Sequence, residues 1–289
     1  MEFILRSNKL IVTIQSKGAE ISSILFNDLE YIWQAKPDVW PRHTPVLFPI
    51  VGKLRNNTFN YNSASYALSQ HGFARDKEFK MIKQTDSEVT FELGSDMETE
   101  KIFPFQFKFQ IKYAIENEMV VCQYSIINPS SEADLFFSVG AHPGFKVPLL
   151  ETEKFTDYAL IFHNSKKFFV TELSDGLLTN TKKELILKEG DLKITDDLFN
   201  ADALVFENSQ IDSIGLRSTV SGKGVELQCK NWPYFGIWSK KGCNEFICLE
   251  PWYGIADSID STGDIKTKNG IIHLEPSEEF DCSFSIKLF

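Results

Sequence analysis

The residue best placed for acid/base chemistry is His142, in the octet SVGAHPGF at residues 138–145. It follows the apolar residues 135–137 and precedes Pro143 and Gly144, a pattern that predicts a histidine at a strand end beside a turn. This ring could be a core histidine, a metal ligand or a proton donor facing a cleft, because its ordinary pKa lies near neutral pH. The octet alone favours none of the three.

Glu250 is the second candidate, in the stretch CLEPWYG at residues 248–254. It follows an apolar run and precedes Pro251 and Trp252. A carboxylate with such neighbours is expected to be partly desolvated, which raises its pKa and makes it a stronger base near neutral pH. The alternative is a strand-end glutamate that is bonded to a turn.

Three further stretches gather polar residues, at 48–57, 69–76 and 200–207. His71, in SQHGFARD at residues 69–76, precedes a glycine that would let backbone or ligand come close, and Asp202 leads into an apolar run. The region from 42 to 77 is locally basic, with Arg42, Lys53, Arg55, Arg75 and Lys77. Such a cluster favours an oxygen-rich or anionic ligand, although surface ion pairs would have the same composition.

Several other chemistries lack their motifs in this sequence. A hydrolase nucleophile is not indicated, because the sequence contains no G-x-S-x-G elbow and no cysteine beside an obvious base. A nucleotide cofactor is not indicated, because neither a G-x-G-x-x-G motif nor a P-loop occurs. The sequence contains no HxH or HExxH element that would indicate a metal site. The histidine spacing nevertheless leaves a two- or three-histidine site open. We expect no cofactor and no metal.

Strands must position these residues, since alternation with a period of two is the main pattern. Apolar and polar residues alternate over 107–115, as in a half-buried strand. The same pattern recurs at 10–14, 120–126, 185–187, 194 and 282–288, with turn clusters between. Helical periodicity is nearly absent, and no linker is found. The sequence predicts an all-β fold of antiparallel sheets with little helix, as one domain over residues 1–289.

Composition limits the partners of the protein. The net charge of −10 argues against nucleic acid, which requires a basic surface. The five cysteines form no CxxC pair and cannot all pair within one chain, so we expect reduced thiols in a cytoplasmic protein. The first residues lack a secretory-signal pattern, and no apolar run reaches transmembrane length. We expect no membrane partner, and a monomer or homodimer.

Short motifs along nearly the whole chain resemble those of the aldose 1-epimerase, or galactose mutarotase-like, family. In order, they are GAEISSI (18–24), VGKLRNN (51–57), HGF (71–73), HPGF (142–145), CLEPW (248–252) and the closing segment 271–289. The resemblance implies a β-supersandwich of antiparallel sheets whose concave face binds a sugar. The short HPGF motif and the Trp-Tyr after the glutamate are most similar to a divergent bacterial, LacX-like branch.

The resemblance also implies a role for each matching residue. His142 matches the general acid of the family, and Glu250 matches its general base. Arg55 and His71 match the residues that bind the sugar near its ring oxygen. Asp202 matches the acidic residue that binds sugar hydroxyls.

Two more candidates for substrate binding come from their chemistry. Arg75 belongs to the locally basic region, and its guanidinium suits an oxygen-rich ligand. Trp252 could stack on a pyranose face or pack in the core.

The expected activity is that of a mutarotase, in which an acid and a base open the hemiacetal ring of a hexose and reclose it as the other anomer. Two alternatives stay open. The basic cluster would suit a hexose-6-phosphate 1-epimerase. A non-catalytic carbohydrate-binding or regulatory protein could have the same fold.

Overall fold

Strands with alternating buried and exposed side chains make up most of the chain in the computed structural model, which describes residues 1–163, 165–187 and 190–289. The strands of these residues are β1 Glu2–Arg6, β2 Leu10–Gln15, β3 Glu20–Phe26, β4 Leu29–Glu30, β5 Val46–Leu47, β6 Thr58–Tyr61, β7 Ala64–Ala67, β8 Lys80–Gln84, β9 Glu88–Gly94, β10 Lys108–Glu116, β11 Met119–Ile127, β12 Leu135–Phe137, β13 Val139–Ala141, β14 Gly144–Lys146, β15 Tyr158–Phe162, β16 Lys167–Ser174, β17 Leu177–Ile186, β18 Asp191–Lys193, β19 Leu204–Glu207, β20 Ser213–Ser218, β21 Gly224–Gln228, β22 Tyr234–Trp238, β23 Phe246–Tyr253, β24 Ile272–Leu274 and β25 Glu279–Leu288. The prediction of an all-β fold with little helix is confirmed.

The alternating segments of the sequence correspond closely to these strands. In β10, Phe109, Ile111 and Tyr113 are buried, whereas the polar residues between them are partly exposed. Leu187 and Ile194 differ from the prediction, since each lies one residue beyond the end of its strand. Both side chains are nevertheless buried, so their apolar character reflects packing rather than pairing.

Three antiparallel sheets contain most of the described strands. The first has the order β1-β2-β3-β4. The second, which we call the long sheet, has the order β18-β15-β20-β21-β25-β11-β10-β9-β8. The third, which we call the site sheet, has the order β17-β16-β19-β22-β23-β13-β5, and β14 also pairs with β23. The strands β6 with β7 and β12 with β24 form two further pairs.

Aromatic side chains pack the long sheet against the site sheet. The ring centroid of Phe162 in β15 lies 4.8 Å from that of Phe168 in β16, and Tyr253 in β23 lies 5.0 Å from Phe280 in β25. Large aromatic rings bury much apolar area each, which explains the high phenylalanine content. One cluster of buried apolar side chains extends from Leu5 to Leu288 and holds the back of the site sheet rigid.

Among the described residues, helical structure is confined to short segments. The α-helix α1, Met97–Ile102, begins with a capping box in which the Asp96 carboxylate accepts from the backbone N–H of Thr99 at 2.7 Å. Single 3-10 turns occur at Arg55–Asn57, Ala74–Asp76, Phe155–Asp157 and Ile265–Thr267. Within the described ranges, no helix combines the length and apolarity needed to cross a membrane.

Candidate active site

Strand pairing places His142 directly opposite Glu250. The strands β13 and β14 flank His142, and both pair with β23 in one common register. Two pairs fix that register: Gly140 opposite Trp252, and Gly144 opposite Cys248. Continuing it through the intervening residues brings the two side chains together, and Nε2 of His142 lies 3.1 Å from Oε2 of Glu250.

The strand β23 is buried on both faces, which is why Glu250 is almost inaccessible. Ile247 and Leu249 belong to the core shared with the long sheet, whereas Cys248 and Trp252 pack in separate clusters on the opposite face. Because side chains alternate along a strand, Glu250 lies on this second face. It is only 2% exposed, at the floor of a cleft.

Burial shifts the pKa values of both groups in the direction of the neutral pair. The pKa of Glu250 is raised well above 4.5, chiefly by burial and also by the nearby Asp202 carboxylate, while the Trp252 indole N–H acts in the opposite direction. Burial lowers the pKa of His142 to about 3, and the positive charges of Arg75 and Arg42 add to this. The pair therefore shares one proton between two desolvated groups.

Three aromatic rings enclose the imidazole of His142. Centroid distances are 5.1 Å to Trp40, 5.7 Å to Trp238 and 5.6 Å to His71. Trp40 comes from the loop before β5, and its carbonyl accepts a hydrogen bond from the indole N–H of Trp33 at 2.8 Å. The same loop is held by Lys240, whose Nζ donates to the Val39 carbonyl at 2.8 Å. The orientation of His142 is thus fixed by packing.

Two glycines allow the indole of Trp252 to lie flat across the site sheet. A Cβ on Gly140 would lie 2.8 Å from Cδ1 of Trp252, and one on Gly236 would lie 2.3 Å from its Cη2. These atoms are at opposite ends of the indole, so the ring spans from β13 to β22 over its own strand. Its buried Nε1 finds no hydrogen-bond partner among the described residues. The indole forms part of the cleft floor.

His71 and Arg75 form one wall of the cleft. His71 has a positive φ of 66°, and its Nδ1 accepts from the Gly52 N–H at 3.1 Å, so the neutral ring carries its proton on Nε2. Burial lowers the pKa of His71 well below 6.5. Arg75 donates through Nη2 to the Gln70 carbonyl at 2.7 Å, and its buried Nε has no hydrogen-bond partner in the part of the chain that the structure describes.

The cleft has a volume of about 320 Å³ and gathers six of the seven site residues predicted from the sequence. They are His71, Arg75, His142, Asp202, Glu250 and Trp252. Asp202 lies at the exposed rim just before β19, where it has a φ of 83° and accepts from the Ala203 N–H at 2.8 Å. Residues more than 180 positions apart in the chain thus line one cavity.

Arg55 is the predicted site residue that the structure leaves outside this cavity. Its backbone N–H donates to Oδ2 of Asp257 at 2.9 Å, and its Nη1 donates to the Ser261 carbonyl at 2.8 Å. The 3-10 turn that begins at Arg55 directs the guanidinium toward the 254–262 loop rather than into the cleft. Arg75 supplies the guanidinium of the cleft instead.

A metal ion is poorly suited to the residues of this cleft. In the described part of the chain, one group of potential ligands is close enough, with atoms of His142, Cys248 and Glu250 within 4.8 Å of one another. Metal ligands must be deprotonated, yet burial raises the pKa of both the Cys248 thiol and the Glu250 carboxyl well above their usual values. The group is better described as an acid/base pair with a neighbouring thiol.

Sequence patterns missed several residues that shape the cleft. Trp40 and Trp238 line it, but neither belongs to a motif, and a lone tryptophan is usually a packing residue. A buried ion pair was also missed: Lys268 Nζ lies 3.0 Å from Asp257 Oδ1 and donates to the Ile255 carbonyl at 2.5 Å. This pair supports the loop that carries Ile255 and the cleft wall.

Comparison with known proteins agrees with this architecture. The family model described as Aldose 1-epimerase matches residues 2–272. The chain belongs to the aldose 1-epimerase family. Among curated relatives, the chromosomal protein LacX of Lactococcus lactis subsp. lactis is 29% identical over 293 residues, which cover 98% of each chain.

Two solved structures have the same fold as this chain. A galactose mutarotase related enzyme from Lactobacillus acidophilus is 36% identical, with a TM-score of 0.95 over 100% of this chain and 97% of that one. A galactose mutarotase-like protein from Lactobacillus casei is 28% identical, with a TM-score of 0.90 over the full length of both chains. The galactose mutarotase-like fold predicted from the motifs is confirmed.

Proposed function

We propose that this chain is a mutarotase that interconverts the α and β anomers of an unphosphorylated hexose. The observation that carries the proposal is the 3.1 Å contact between His142 Nε2 and Glu250 Oε2 at the floor of the cleft. The two oxygens of a hemiacetal share one carbon, so an acid and a base that act on both must lie side by side.

Ring opening requires two proton transfers in opposite directions. With the shared proton on His142, Glu250 takes the proton of the C1 hydroxyl, and the electron pair of O1 forms the carbonyl. The C1–O5 bond breaks as O5 takes the proton from His142. Rotation about C1–C2 presents the other carbonyl face, and the reverse transfers close the ring as the other anomer.

The proton count of the pair is the same before and after the reaction. Burial favours the uncharged form, in which the proton resides on Glu250. The short Nε2–Oε2 contact lets that proton cross to His142 when the sugar binds. The cycle therefore needs no co-reactant, and we assign general base to Glu250 and general acid to His142.

Other lining residues would hold the sugar. His71 presents its Nε2 edge with the Gln70 amide 3.2 Å away, Arg75 presents a guanidinium and Asp202 a carboxylate. This mixture suits sugar hydroxyls, which both donate and accept hydrogen bonds. Trp252 is 7% exposed and contributes this small indole surface to the cleft floor, where an apolar sugar face can pack.

The charge of the cleft favours a free sugar over a sugar phosphate. Among the described residues that line the cleft, Arg75 is the one lysine or arginine, the Asp202 carboxylate balances its charge, and Glu250 shares one proton with His142. The other basic groups have partners elsewhere: Arg42 with Asp76, Arg55 with the Ser261 carbonyl and Lys53 with the Asp175 carbonyl. Phosphate sites generally use several converging donors, so the hexose-6-phosphate alternative has less support.

We also place this activity in the cytoplasm. The cysteines Cys122, Cys229, Cys243, Cys248 and Cys282 are all free thiols. Free thiols persist in reducing compartments such as the cytoplasm.

The test is mutarotation of freshly dissolved α-glucose and α-galactose, followed by optical rotation and by NMR anomer exchange. Wild-type protein should accelerate equilibration, and Glu250→Gln should lose the acceleration. A marked preference for glucose 6-phosphate would instead support the phosphate alternative. A folded protein that binds sugar without accelerating any exchange would support the non-catalytic alternative.

A further inference from the structure

A second, more open depression continues the cleft outward, and we call it the outer chamber. It has a volume of about 360 Å³, similar to the 320 Å³ of the inner cavity. The two share Leu173, Asp202 and Trp238, so a ligand can extend from one into the other. The residues that belong to the outer chamber alone are Asp175, Phe199, Asn200, Ala201 and Lys241.

Three loops at one end of the site sheet form this outer chamber, and side-chain hydrogen bonds tie them together. The loop before β19 is joined to the β22–β23 turn because Asn244 donates through Nδ2 to Oδ1 of Asp196 at 3.0 Å. The β16–β17 turn is held by Lys53, whose Nζ donates to the Asp175 carbonyl at 2.8 Å. Phe199 anchors its loop because it is only 5% exposed. The chamber is therefore preformed.

The lining of the outer chamber has the chemistry of a carbohydrate site. Trp238 is half-buried and provides an aromatic surface at the junction of the two chambers. Asn200 and Lys241 are exposed, and no hydrogen bond or ion pair within the described residues engages either side chain. They are free to bind hydroxyls, and Asp175 and Asp202 add acceptors.

We propose that the outer chamber binds a second glycosyl unit, so that the preferred substrate is the reducing end of an oligosaccharide rather than a monosaccharide. This inference rests on the proposed function, because it places the hemiacetal ring at His142 and Glu250. Each chamber is at the small end of the size range of ligand pockets, as expected for one sugar ring apiece.

Charge distinguishes this ligand from a phosphate group that could occupy the same space. The outer chamber has one cation, Lys241, against the two carboxylates of Asp175 and Asp202. A phosphate would be repelled by this balance, whereas an uncharged sugar ring can use all three groups as hydrogen-bonding partners.

The test compares kcat/KM for anomer exchange on glucose and galactose with that on the reducing disaccharides maltose, lactose and melibiose. Ala201 is exposed and lines the outer chamber but not the inner cavity, so Ala201→Trp should fill the former. Ala64→Trp, on the exposed β6–β7 hairpin, is the matched control.

We expect at least one disaccharide to exceed both monosaccharides in kcat/KM. Ala201→Trp should lower that value by about tenfold, the equivalent of one lost contact of the stacking or hydrogen-bonding kind. Its monosaccharide exchange should stay at the wild-type rate, and Ala64→Trp should change neither. Exchange on monosaccharides alone, or equal loss on both classes in Ala201→Trp, would overturn the second subsite and leave the proposed function intact.

Calorimetry separates this inference from the proposed function if no sugar is turned over. Disaccharide binding that is tighter than monosaccharide binding, and that is lost in Ala201→Trp, would support the outer subsite on a non-catalytic protein. Equal affinity for both classes would overturn it.

Discussion

His142 Nε2 and Glu250 Oε2 lie 3.1 Å apart on adjacent segments of one sheet, and both side chains are buried. Removing either group should lower the mutarotation rate by about 10² to 10⁴-fold, the usual contribution of a positioned acid or base. Glu250→Gln and His142→Gln should still bind sugar, measured by calorimetry. His273→Gln, on an exposed histidine paired with Asp134, should retain the wild-type rate.

The stability cost of the buried Glu250 carboxyl should grow with pH. Because its folded pKa is raised well above 4.5, the folded protein keeps the proton after the unfolded chain has lost it. Stability then falls as pH rises from 4.5 to the folded pKa, by at most about 1.4 kcal/mol per pH unit. Glu250→Gln should exceed wild type in unfolding free energy by more at pH 8 than at pH 5. A difference independent of pH would contradict this account.

Adding a methyl group at Gly236, which lies against the indole of Trp252, should destabilise the protein. In Gly236→Ala the new Cβ would lie 2.3 Å from Cη2 of Trp252, so the ring or the strand must move. We expect a loss of about 1–3 kcal/mol in urea denaturation, together with reduced activity. Gly94→Ala is the control, because its Cβ would lie 4.0 Å from the nearest atom and should change stability by less than about 0.5 kcal/mol.

The two candidate arginines should separate cleanly in kinetics. Arg75 lines the cleft, whereas Arg55 donates to the Ser261 carbonyl outside it. Arg75→Ala should raise KM by about tenfold or more, as expected for loss of a charged hydrogen bond. Arg55→Ala should leave KM unchanged. The opposite result would favour Arg55 as the sugar-binding arginine.

The buried ion pair behind the cleft wall should contribute strongly to stability. Lys268 and Asp257 are each 3% exposed in their side chains, so Lys268→Met would leave a buried carboxylate without its cation. We expect a loss of about 3–5 kcal/mol in the unfolding free energy. The exposed pair of Lys101 with Glu98 provides the control, since Lys101→Met should cost less than about 1 kcal/mol. Equal effects at both positions would contradict the role of burial.

Sequence patterns predicted the fold because strands depend on local rules, whereas the prediction that His142 and Glu250 face one cleft came only from the resemblance to the family. A period of two identified strands such as β2 and β10, and the flanks of His142 and Glu250 indicated strand-end groups with perturbed proton affinity. The resemblance to one family was carried by the order of the motifs along the chain, and it assigned a role to each matching residue. Neither source could give the direction of a side chain after a turn.

Arg55 illustrates this limit most clearly. It occupies the expected motif, but its direction depends on a 3-10 turn and on hydrogen bonds to a loop about 200 residues further along the chain. Trp40 and Trp238 were missed for a similar reason, because their place in the cleft results from loop packing and not from periodicity. Contacts between loops that are distant in the chain produce no periodic pattern in a single sequence.

The pairing of β13 and β14 with β23 also constrains how this protein can evolve. Gain or loss of a single residue between Gly140 and Gly144 would turn the imidazole toward the opposite side of the sheet, away from Glu250. Substitutions there can be graded in their effects, but a change in chain length would separate acid from base at once. Descendants of this chain should therefore vary in residue type within the segment while keeping its length constant.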